Sequence, residues 1–282
     1  MTRLATTKLA RNPITSDFAH GLPSVGTWLS SCSPVVAESL AAAGWDWVLV
    51  DAQHSLVGFD TMVACLRAIQ LGGAAPVVRV PWLDGVWIQR SLDAGALGVL
   101  VPMVNSADDA ALVVSHTKYG PRGQRSFMRG RIAPYLEGDY ARWCDDNIAV
   151  LVMIETVEAV RNAEAILSVE GIDCGFVGPS DLAMSLGTNK TGPGSEHEAM
   201  IQSVLAAGKK LGKAVGIKCN NEETQQRIAA NATRPQYHIA EIFLPAETEQ
   251  EFAEMQDGAM RLLQEMQRGA PFPAVARQFS QA

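Results

Sequence analysis

The sequence lacks the features that mark disulfide-bonded secreted proteins and membrane proteins. Its five cysteines include no Cys-X-X-Cys pair, and most of them lie in apolar segments. An odd number of scattered cysteines indicates free thiols in a reducing compartment, so we expect a cytoplasmic protein. No apolar run reaches the roughly 18 residues that a membrane-spanning helix needs, so we expect no membrane partner.

Signatures of nucleotide and nucleic-acid binding are also missing. No dense run of Lys and Arg occurs and the formal net charge is -7, which argues against nucleic acid as a partner. No Gly-X-Gly-X-X-Gly sequence opens the first helix, which disfavours a dinucleotide-binding fold. Gly187 and Gly192 have P-loop spacing, but Pro193 occupies the position of the phosphate-binding lysine. These absences leave a small molecule as the expected ligand.

What the sequence does contain is a regular alternation of apolar strands and helical segments. Such alternation is typical of a parallel sheet, and about eight units at spacings of roughly 25 to 45 residues favour a closed barrel. A chain of 282 residues with 48% hydrophobic content is large enough to form one such domain. We therefore predict an α/β fold of the (β/α)8 TIM-barrel type, with strands at Val25–Leu29, Trp45–Ala52, Pro76–Pro81, Gly98–Val104, Ala149–Ile154, Ile172–Val177, Ala214–Cys219 and Ile239–Pro245.

The domain limits follow from the segments that flank this alternation. Residues 21–268 are predicted to form the barrel, preceded by an N-terminal arm or helix at 1–20 and followed by a Pro-rich tail at 269–282. The predicted barrel ends on helices at Glu222–Asn231 and Glu247–Arg268. The segment Lys118–Asp146 reads as irregular, and a loop of this length inside a compact domain is usually functional or mobile.

Two carboxylates follow neighbouring predicted strands. Glu155 ends the run Ala149–Ile154, Asp181 closes the Gly-Pro-Ser-Asp turn after Ile172–Val177, and one helical segment separates them. Parallel strands end at the same edge of a sheet, where α/β proteins place their active sites. Two carboxylates with water and substrate oxygens suit Mg²⁺ or Mn²⁺. The alternative is that each acid caps the helix after it, but the pairing on adjacent strands favours a metal site.

Other polar residues stand at further strand ends. The second predicted strand ends in Asp51-Ala52-Gln53-His54, and a carboxylate that fixes the tautomer of a histidine produces a competent general base. Taken alone, a histidine in a loop is more often an ordinary surface residue. Arg79 interrupts the apolar sequence PVVRVP, and its planar guanidinium suits a substrate carboxylate. The alternative for Arg79 is a salt bridge to one of the strand-end acids.

Five stretches between residues 26 and 187 carry a resemblance to a known family. They are GTWLSSCSPVVAESLAAAGWDWVLVDAQH, PVVRVPW, LDAGALGVLVPMVNSADDA, VLVMIETVEAV and GFVGPSDLAMSLG. Together they resemble the class II pyruvate aldolases of the 4-hydroxy-2-oxoheptanedioate aldolase (HpcH/HpaI) type. The resemblance implies a (β/α)8 barrel, usually a homohexamer whose last helix is exchanged between subunits. It implies a divalent cofactor, Mg²⁺ or Mn²⁺ with Co²⁺ as a third candidate, and pyruvate and an aldehyde as the small-molecule partners.

The resemblance also implies roles for single residues. It makes Glu155 and Asp181 the metal ligands, and it makes His54, paired with Asp51, the catalytic base. The remaining implied site residues contact substrate or complete the site: Arg79 as the clamp on pyruvate, Gly178, Pro179 and Ser180 as pocket lining, Arg125 in the loop GPRGQRS, and Asp93 reaching into a neighbouring subunit's site.

Two positions in this site depart from the family pattern. Gln53 stands where the family commonly has glutamate, and Met153 stands where it commonly has a glutamine that helps to hold substrate or water. The predicted last strand also lacks the family's usual glycine. We expect Met153 to lie at the substrate and to change substrate choice or weaken activity.

The expected reaction is the reversible cleavage of a 4-hydroxy-2-oxoacid to pyruvate, or a similar 2-oxoacid, and an aldehyde. A first alternative is a Schiff-base aldolase that uses Lys218, the one lysine well placed in a predicted strand. A second is a related lyase acting on an acyl-CoA or a phosphorylated enol acid such as phosphoenolpyruvate, with Arg122–Arg131 as its basic groove. A third is a catalytically weak 2-oxoacid-binding protein, which the departures at Gln53 and Met153 suggest.

Overall fold

Strands and helices alternate along most of the chain. A computed structural model describes residues 9–192, 194–218 and 239–240. The strands are β1 Ser24–Leu29, β2 Trp47–Asp51, β3 Ala75–Arg79, β4 Gly98–Val101, β5 Ala149–Ile154, β6 Cys174–Val177, β7 Ala214–Ile217 and β8 Ile239–Ala240. The helices are α1 Pro13–His20, α2 Pro34–Ala42, α3 Phe59–Gly72, α4 Gly85–Asp93, α5 Ala107–Thr117, α6 Tyr140–Asn147, α7 Val157–Arg161, α8 Ala163–Leu167, α9 Pro179–Leu186 and α10 Glu196–Leu211. None of the helices within these ranges is long and apolar enough to cross a membrane.

The strands form one parallel sheet that curls on itself. Its order is β7-β6-β5-β4-β3-β2-β1-β8, so each strand from β1 to β7 pairs with its neighbour in sequence and β8 lies beside β1. Trp28 on β1 and Phe176 on β6 have ring centroids 6.1 Å apart, although four strands lie between them in the sheet. In a flat sheet, strands five positions apart would be separated by about 24 Å. The α/β class is therefore confirmed, with a curled, TIM-barrel-like sheet.

Apolar side chains fill the concave side of this sheet. They surround a small cavity that is lined by Ile14, Trp47, Leu49, Val77, Leu100, Leu151 and Phe176. Ile14 belongs to α1, whose N-cap residue Asn12 donates through its side-chain amide to the carbonyls of Leu97 and Asn147 at 2.7 and 2.8 Å. These carbonyls lie just before β4 and β5. Helix α1 thus covers the amino end of the sheet interior and leaves the carboxyl end for a site.

The predicted irregular segment at Lys118–Asp146 is partly wrong. A 3-10 turn occupies Ala133–Tyr135 and helix α6 begins at Tyr140. The side chain of Asp139 accepts from the backbone N–H of Arg142 and caps this helix. Burial of Tyr140, Trp143 and Cys144 then holds α6 against the core, although so short a helix has little stability of its own.

Several predicted elements fall outside the described residues. They are the helices at Glu222–Asn231 and Glu247–Arg268, the strand Ile239–Pro245 beyond its first two residues, and the tail at 269–282. The limits assigned to the arm, barrel and tail therefore remain predictions.

Candidate active site

Polar residues from several strands meet at the carboxyl end of the sheet. Asp51 is the last residue of β2 and lies in register with Arg79, the last residue of β3. Glu155 directly follows β5, Gly178 directly follows β6, and Lys218 directly follows β7. Side chains alternate between the two faces of a strand, so the residue that ends or follows each strand is aimed by the packing of the residues before it. The strand ends singled out in the sequence thus share one edge.

Asp51 and Arg79 form a buried, two-point salt bridge. Arg79 donates from Nε to Oδ1 at 2.9 Å and from Nη2 to Oδ2 at 2.7 Å, and the residues are only 6% and 3% exposed. Burial raises the pKa of Asp51, but the Arg79 guanidinium and the backbone N–H groups of His54 and Gln53 outweigh it and hold the pKa below its usual value. The salt-bridge alternative for Arg79 is therefore present, and it fixes the plane of the guanidinium.

The other edge of the Arg79 guanidinium faces Met153 and the Trp28 ring. Its Nη1 lies 3.9 Å from Sδ of Met153, and its Cζ lies 4.1 Å from the centroid of the Trp28 ring. Two of its nitrogens are occupied by Asp51, which leaves Nη1 as the nitrogen best placed to meet a ligand. Met153 is therefore a close neighbour of this edge, and its thioether offers only a weak acceptor there.

His54 is exposed, and its recorded contact with Asp51 runs through its backbone. The His54 N–H donates to Oδ1 of Asp51 at 3.2 Å, beside the N–H of Gln53 at 3.0 Å. Asp51 thus has Arg79 as its side-chain partner, in place of the imidazole expected from the resemblance. The role of His54 as a base stays a prediction.

Glu155 is a buried carboxylate with a single hydrogen-bonding donor on one of its oxygens. It is 1% exposed, and Oε1 accepts from the backbone N–H of Met103 at 2.8 Å. Met103 has a φ of 56°, a left-handed conformation that is rare outside glycine and that aims this N–H. The pKa of Glu155 is raised to about 7. Burial is the largest cause and raises the pKa, the Met103 N–H lowers it, the Asp181 charge raises it and the Arg79 charge lowers it.

The second oxygen of Glu155 faces Gly178. A Cβ at position 178 would lie 2.5 Å from Oε2 of Glu155 and 3.1 Å from Cε of Met153. Any larger residue at this position would therefore collide with the carboxylate. Glycine at position 178 leaves Oε2 of Glu155 unobstructed on this side. A segment that served only apolar packing would not need this opening.

Asp181 lies in the first turn of helix α9, near enough to Glu155 for its charge to act on that carboxylate. It is exposed there, after Pro179 and Ser180, and its charge adds to the larger effect of burial in raising the pKa of Glu155. Among the described residues, no three His, Cys, Asp or Glu side chains form a group able to hold a metal ion. A cation at Glu155 and Asp181 would therefore complete its shell with water and substrate oxygens, as Mg²⁺ usually does.

Asp93 and Arg125 are joined to each other. Nη2 of Arg125 lies 2.7 Å from Oδ1 of Asp93, and the Arg125 Cζ lies 4.6 Å from the centroid of the Tyr119 ring. The Arg125 side chain is 1% exposed and that of Asp93 is 26% exposed. The structure thus gives the GPRGQRS loop an anchor on the end of α4. The predicted reach of Asp93 into another subunit, and the contact of Arg125 with substrate, remain predictions.

Sequence reasoning missed two contributors to this site. Met103 follows an apolar strand and carries no chemical signal, since its backbone N–H and not its side chain is used. The sequence indicates Trp28 only as part of a strand, yet its ring meets both Arg79 and Lys218. The two-residue period that places Gly26 and Trp28 on one face of β1 was the available signal.

The metal-free protein is expected to lose stability as the pH rises from about 4.5 to about 7. In this window the folded chain holds a proton on Glu155, whose pKa is about 7, whereas the unfolded chain has released it near 4.5. The free energy of unfolding therefore falls with rising pH. Urea unfolding in the presence of a chelator should show this slope, and Glu155→Gln should remove that part of it. Parallel curves for the two proteins across the window would contradict the expectation.

Comparison with known proteins gives consistent matches. A family model described as HpcH/HpaI aldolase/citrate lyase matches residues 24–236. The 4-hydroxy-2-oxo-heptane-1,7-dioate aldolase of Klebsiella pneumoniae subsp. pneumoniae is 39% identical over 214 residues, which cover 73% of this chain and 79% of that protein. An HpcH/HpaI aldolase/citrate lyase family protein from Burkholderia cenocepacia J2315 superposes with a TM-score of 0.75 at 31% identity, covering 91% of this chain and 99% of the other. The HpcH/HpaI aldolase from Desulfitobacterium hafniense DCB-2 gives a TM-score of 0.72 at 26% identity, covering 90% and 96%.

Proposed function

Because this chain belongs to the HpcH/HpaI aldolase/citrate lyase family, we propose that it is an aldolase that reversibly cleaves a 4-hydroxy-2-oxoacid to pyruvate and an aldehyde. The observation that supports this assignment most directly is the carboxylate of Glu155. It is buried and has a pKa of about 7, and its Oε2 faces Gly178, three residues before Asp181. Arg79 stands at the same edge of the sheet with one nitrogen directed inward.

Glu155 and Asp181 are proposed to hold a divalent ion. The donor set fits, because both groups supply hard oxygens and Gly178 leaves Oε2 of Glu155 unobstructed. The raised pKa also fits, since a nearby cation would stabilise the ionised form that burial disfavours. When bound, the ion supplies Lewis-acid stabilisation of negative charge on the ketoacid oxygens. Mg²⁺ and Mn²⁺ are the first candidates and Co²⁺ the third.

The side chains of this chain then bind and orient the substrate. Arg79 is proposed to hold the 2-oxoacid carboxylate through Nη1, with Asp51 fixing the guanidinium plane. Backbone groups of Gly178, Pro179 and Ser180 are proposed to line the pocket at the start of α9. Preorganised positive charge next to the reacting carbonyl favours the enolate over the ketoacid from which it forms.

The bond changes follow from this placement. In the cleavage direction a base takes the proton of the 4-hydroxyl group, the C3–C4 bond breaks, and the aldehyde leaves. The electron pair of that bond passes to the C2 carbonyl as an enolate, and a proton added at C3 gives the methyl group of pyruvate. His54, exposed at the mouth, is proposed to move the proton of the 4-hydroxyl group through water.

Lys218 is less well suited to the Schiff-base alternative. Its Nζ lies 4.9 Å from the centroid of the Trp28 ring, which is the contact that an indole makes with a cation. A Schiff-base lysine must act as a neutral amine. A Schiff-base mechanism would also give the carboxylates of Glu155 and Asp181 no role.

A screen for pyruvate release tests the proposal. A panel of 4-hydroxy-2-oxoacids is incubated with the protein and Mg²⁺, Mn²⁺ or Co²⁺, or with a chelator. Pyruvate release is expected to require the ion and to stop on chelation. Undiminished release in chelator, or borohydride trapping of pyruvate on Lys218, would contradict the metal assignment. Binding of pyruvate without exchange of its methyl protons in D₂O, and with no release across the panel, would favour a weak binding protein instead.

The assembly is proposed on the same family grounds. We infer a closed (β/α)8 barrel over residues 21–268, with residues 1–20 as an arm and residues 269–282 as a tail. The position of β8 beside β1 supports closure. A cytoplasmic homohexamer with an exchanged last helix is the corresponding proposal for the quaternary structure, and the four described cysteines are free, as a reducing compartment requires. Light scattering would give the number of subunits.

A further inference from the structure

A buried histidine contacts the turn that carries Asp181. Nε2 of His197 lies 2.8 Å from the carbonyl oxygen of Pro179, the first residue of helix α9. A carbonyl can only accept, so Nε2 carries the hydrogen and donates it. His197 is 3% exposed, and its Nδ1 is buried without a hydrogen-bond partner among the described residues. The ring therefore makes one directed hydrogen bond, which ends two residues before a proposed metal ligand.

The start of helix α9 needs support from outside the helix. Its N-cap residue is Gly178, which has no side chain to cap the first turn, and a Cβ there would lie 2.5 Å from Oε2 of Glu155. A serine, threonine or aspartate cap is therefore excluded at this position. No hydrogen bond or ion pair to another described residue fixes the exposed Asp181 side chain. The placement of that carboxylate thus depends on where the backbone of the turn is held.

Two contacts from neighbouring elements hold helix α9. The first is the hydrogen bond from His197 at its start. At its other end, Oγ of Ser185 accepts from the backbone N–H of Val157 at 3.0 Å. Val157 lies two residues after Glu155, so this second contact ties α9 to the segment that carries the other proposed ligand. Both contacts therefore bear on how the segments of Glu155 and Asp181 are placed relative to each other.

His197 donates from a firmly held position. It lies in the first turn of helix α10, whose N-cap residue Ser195 accepts from the backbone N–H of Glu198 at 3.1 Å. Oγ of Ser195 also donates to the carbonyl of Gly192 at 2.7 Å. The cap satisfies an N–H group at the helix start and so stabilises its first turn. A buried imidazole on such a turn is a rigid donor, because close packing leaves few other rotamers.

We propose that His197 is a positioning residue for divalent-ion binding, which acts by fixing the Pro179 carbonyl and thereby the Asp181 carboxylate. Residues that orient metal ligands typically contribute about 10- to 100-fold to the affinity for the ion. His197 acts through the backbone of the turn, which places its expected contribution at the lower end. This inference rests on the metal site of the proposed function, and it adds to that site a residue from helix α10.

Binding of Mn²⁺ without substrate, measured by calorimetry, tests this role. His197→Leu removes the donor. His197→Gln carries an amide that can reach the Pro179 carbonyl, and His197→Asn carries the same amide on a side chain too short to reach it. His20→Leu is the matched control, because His20 also lies against a carbonyl, that of Ser16 at 2.7 Å, but is exposed on helix α1 at the other end of the sheet.

His197→Leu and His197→Asn should raise the dissociation constant for Mn²⁺ roughly tenfold, while His197→Gln should stay within about threefold of the wild-type protein. His20→Leu should leave the constant unchanged. In an Asp181→Asn background, His197→Leu should add less than about a twofold loss, because a residue that acts through Asp181 then has no carboxylate to position. If His197→Leu fails to fold, the comparison of the glutamine and asparagine variants carries the test.

An unchanged affinity for Mn²⁺ in His197→Leu would overturn the inference. Equal losses in the glutamine and asparagine variants would also overturn it, because position 197 would then support only the fold. A full tenfold loss in the Asp181→Asn background would show that His197 does not act through Asp181, and absence of Mn²⁺ binding by the wild-type protein would remove the role altogether.

The proposed aldolase activity fails separately, if the wild-type protein with Mn²⁺ releases no pyruvate from any 4-hydroxy-2-oxoacid. The Mn²⁺ measurements use no substrate, so they would still decide the role of His197 in that case.

Discussion

Replacing Glu155 with glutamine is expected to reduce pyruvate release by roughly three orders of magnitude at saturating Mg²⁺. The variant removes one of two carboxylates proposed to hold the ion, and the loss of about 4 kcal/mol of charge stabilisation corresponds to about a thousandfold change in rate. Glutamine keeps the shape of the side chain and an oxygen to accept from the Met103 N–H. The fold should therefore survive.

Stability measurements separate this effect from misfolding. Because Glu155 is buried with a pKa raised to about 7, the neutral amide should leave the metal-free protein at neutral pH as stable as the wild type or more so. A large loss of turnover with an unchanged or higher free energy of unfolding identifies Glu155 as a functional residue. The affinity for Mn²⁺, measured by calorimetry, should fall in parallel with the turnover.

Glu158→Gln is the matched control for this experiment. Glu158 lies three residues further along, exposed in the first turn of helix α7, and it should tolerate the same change without loss of turnover or Mn²⁺ affinity. Full activity of Glu155→Gln in the presence of a chelator would end the metal assignment. Equal losses of turnover in Glu155→Gln and Glu158→Gln would show that the effect comes from removing a negative charge and not from the position of Glu155.

Replacing Asp51 with asparagine is expected to lower the free energy of unfolding by about 3 kcal/mol at neutral pH. The change leaves the buried Arg79 guanidinium without its counter-charge, and breaking one side of a buried ion pair typically costs about 3 to 5 kcal/mol. Asparagine still offers one acceptor oxygen, which places the expected cost at the lower end. Urea unfolding at pH 7.5 measures the difference.

The same variant should weaken the site. In this variant a single acceptor oxygen replaces the two-point carboxylate, so the Arg79 guanidinium plane is held less firmly and the KM for the 4-hydroxy-2-oxoacid in the cleavage assay should rise. Arg79→Lys should raise this KM as well, because an ammonium keeps the charge but cannot bond Asp51 and a ligand through one rigid fork.

Asp146→Asn provides the comparison for Asp51→Asn. Asp146 also pairs with an arginine, Arg122, at 2.9 Å, but both side chains are about half exposed, at 49% and 46%. Exposed pairs contribute at most about 1 kcal/mol, so its loss should change stability little. Similar changes in stability for the two variants would show that burial of the Asp51–Arg79 pair is not what makes it important.

The fold class could be predicted from the sequence because apolar residues recur at different periods in helices and in strands. Near-continuous apolar runs such as the one ending at Asp51 are typical of strands covered on both faces, and the structure contains them as a parallel sheet. Helix α6 was not readable to the same degree. Its cap at Asp139 stands in a segment rich in Gly, Pro and Arg, and contacts with the core, which propensity does not report, hold it in place.

The sequence by itself determined the parallel α/β class and the edge of the sheet at which Asp51, Arg79 and Glu155 lie, because parallel strands all end on one side. Only the tertiary structure decided how these groups are partnered. Asp51 meets the guanidinium of Arg79, 28 residues away, and not the imidazole of His54 three residues away. Trp28 meets Arg79 and Lys218 because the sheet curls. Contacts between strands depend on register and curvature, and neither is encoded in the local pattern of any one strand.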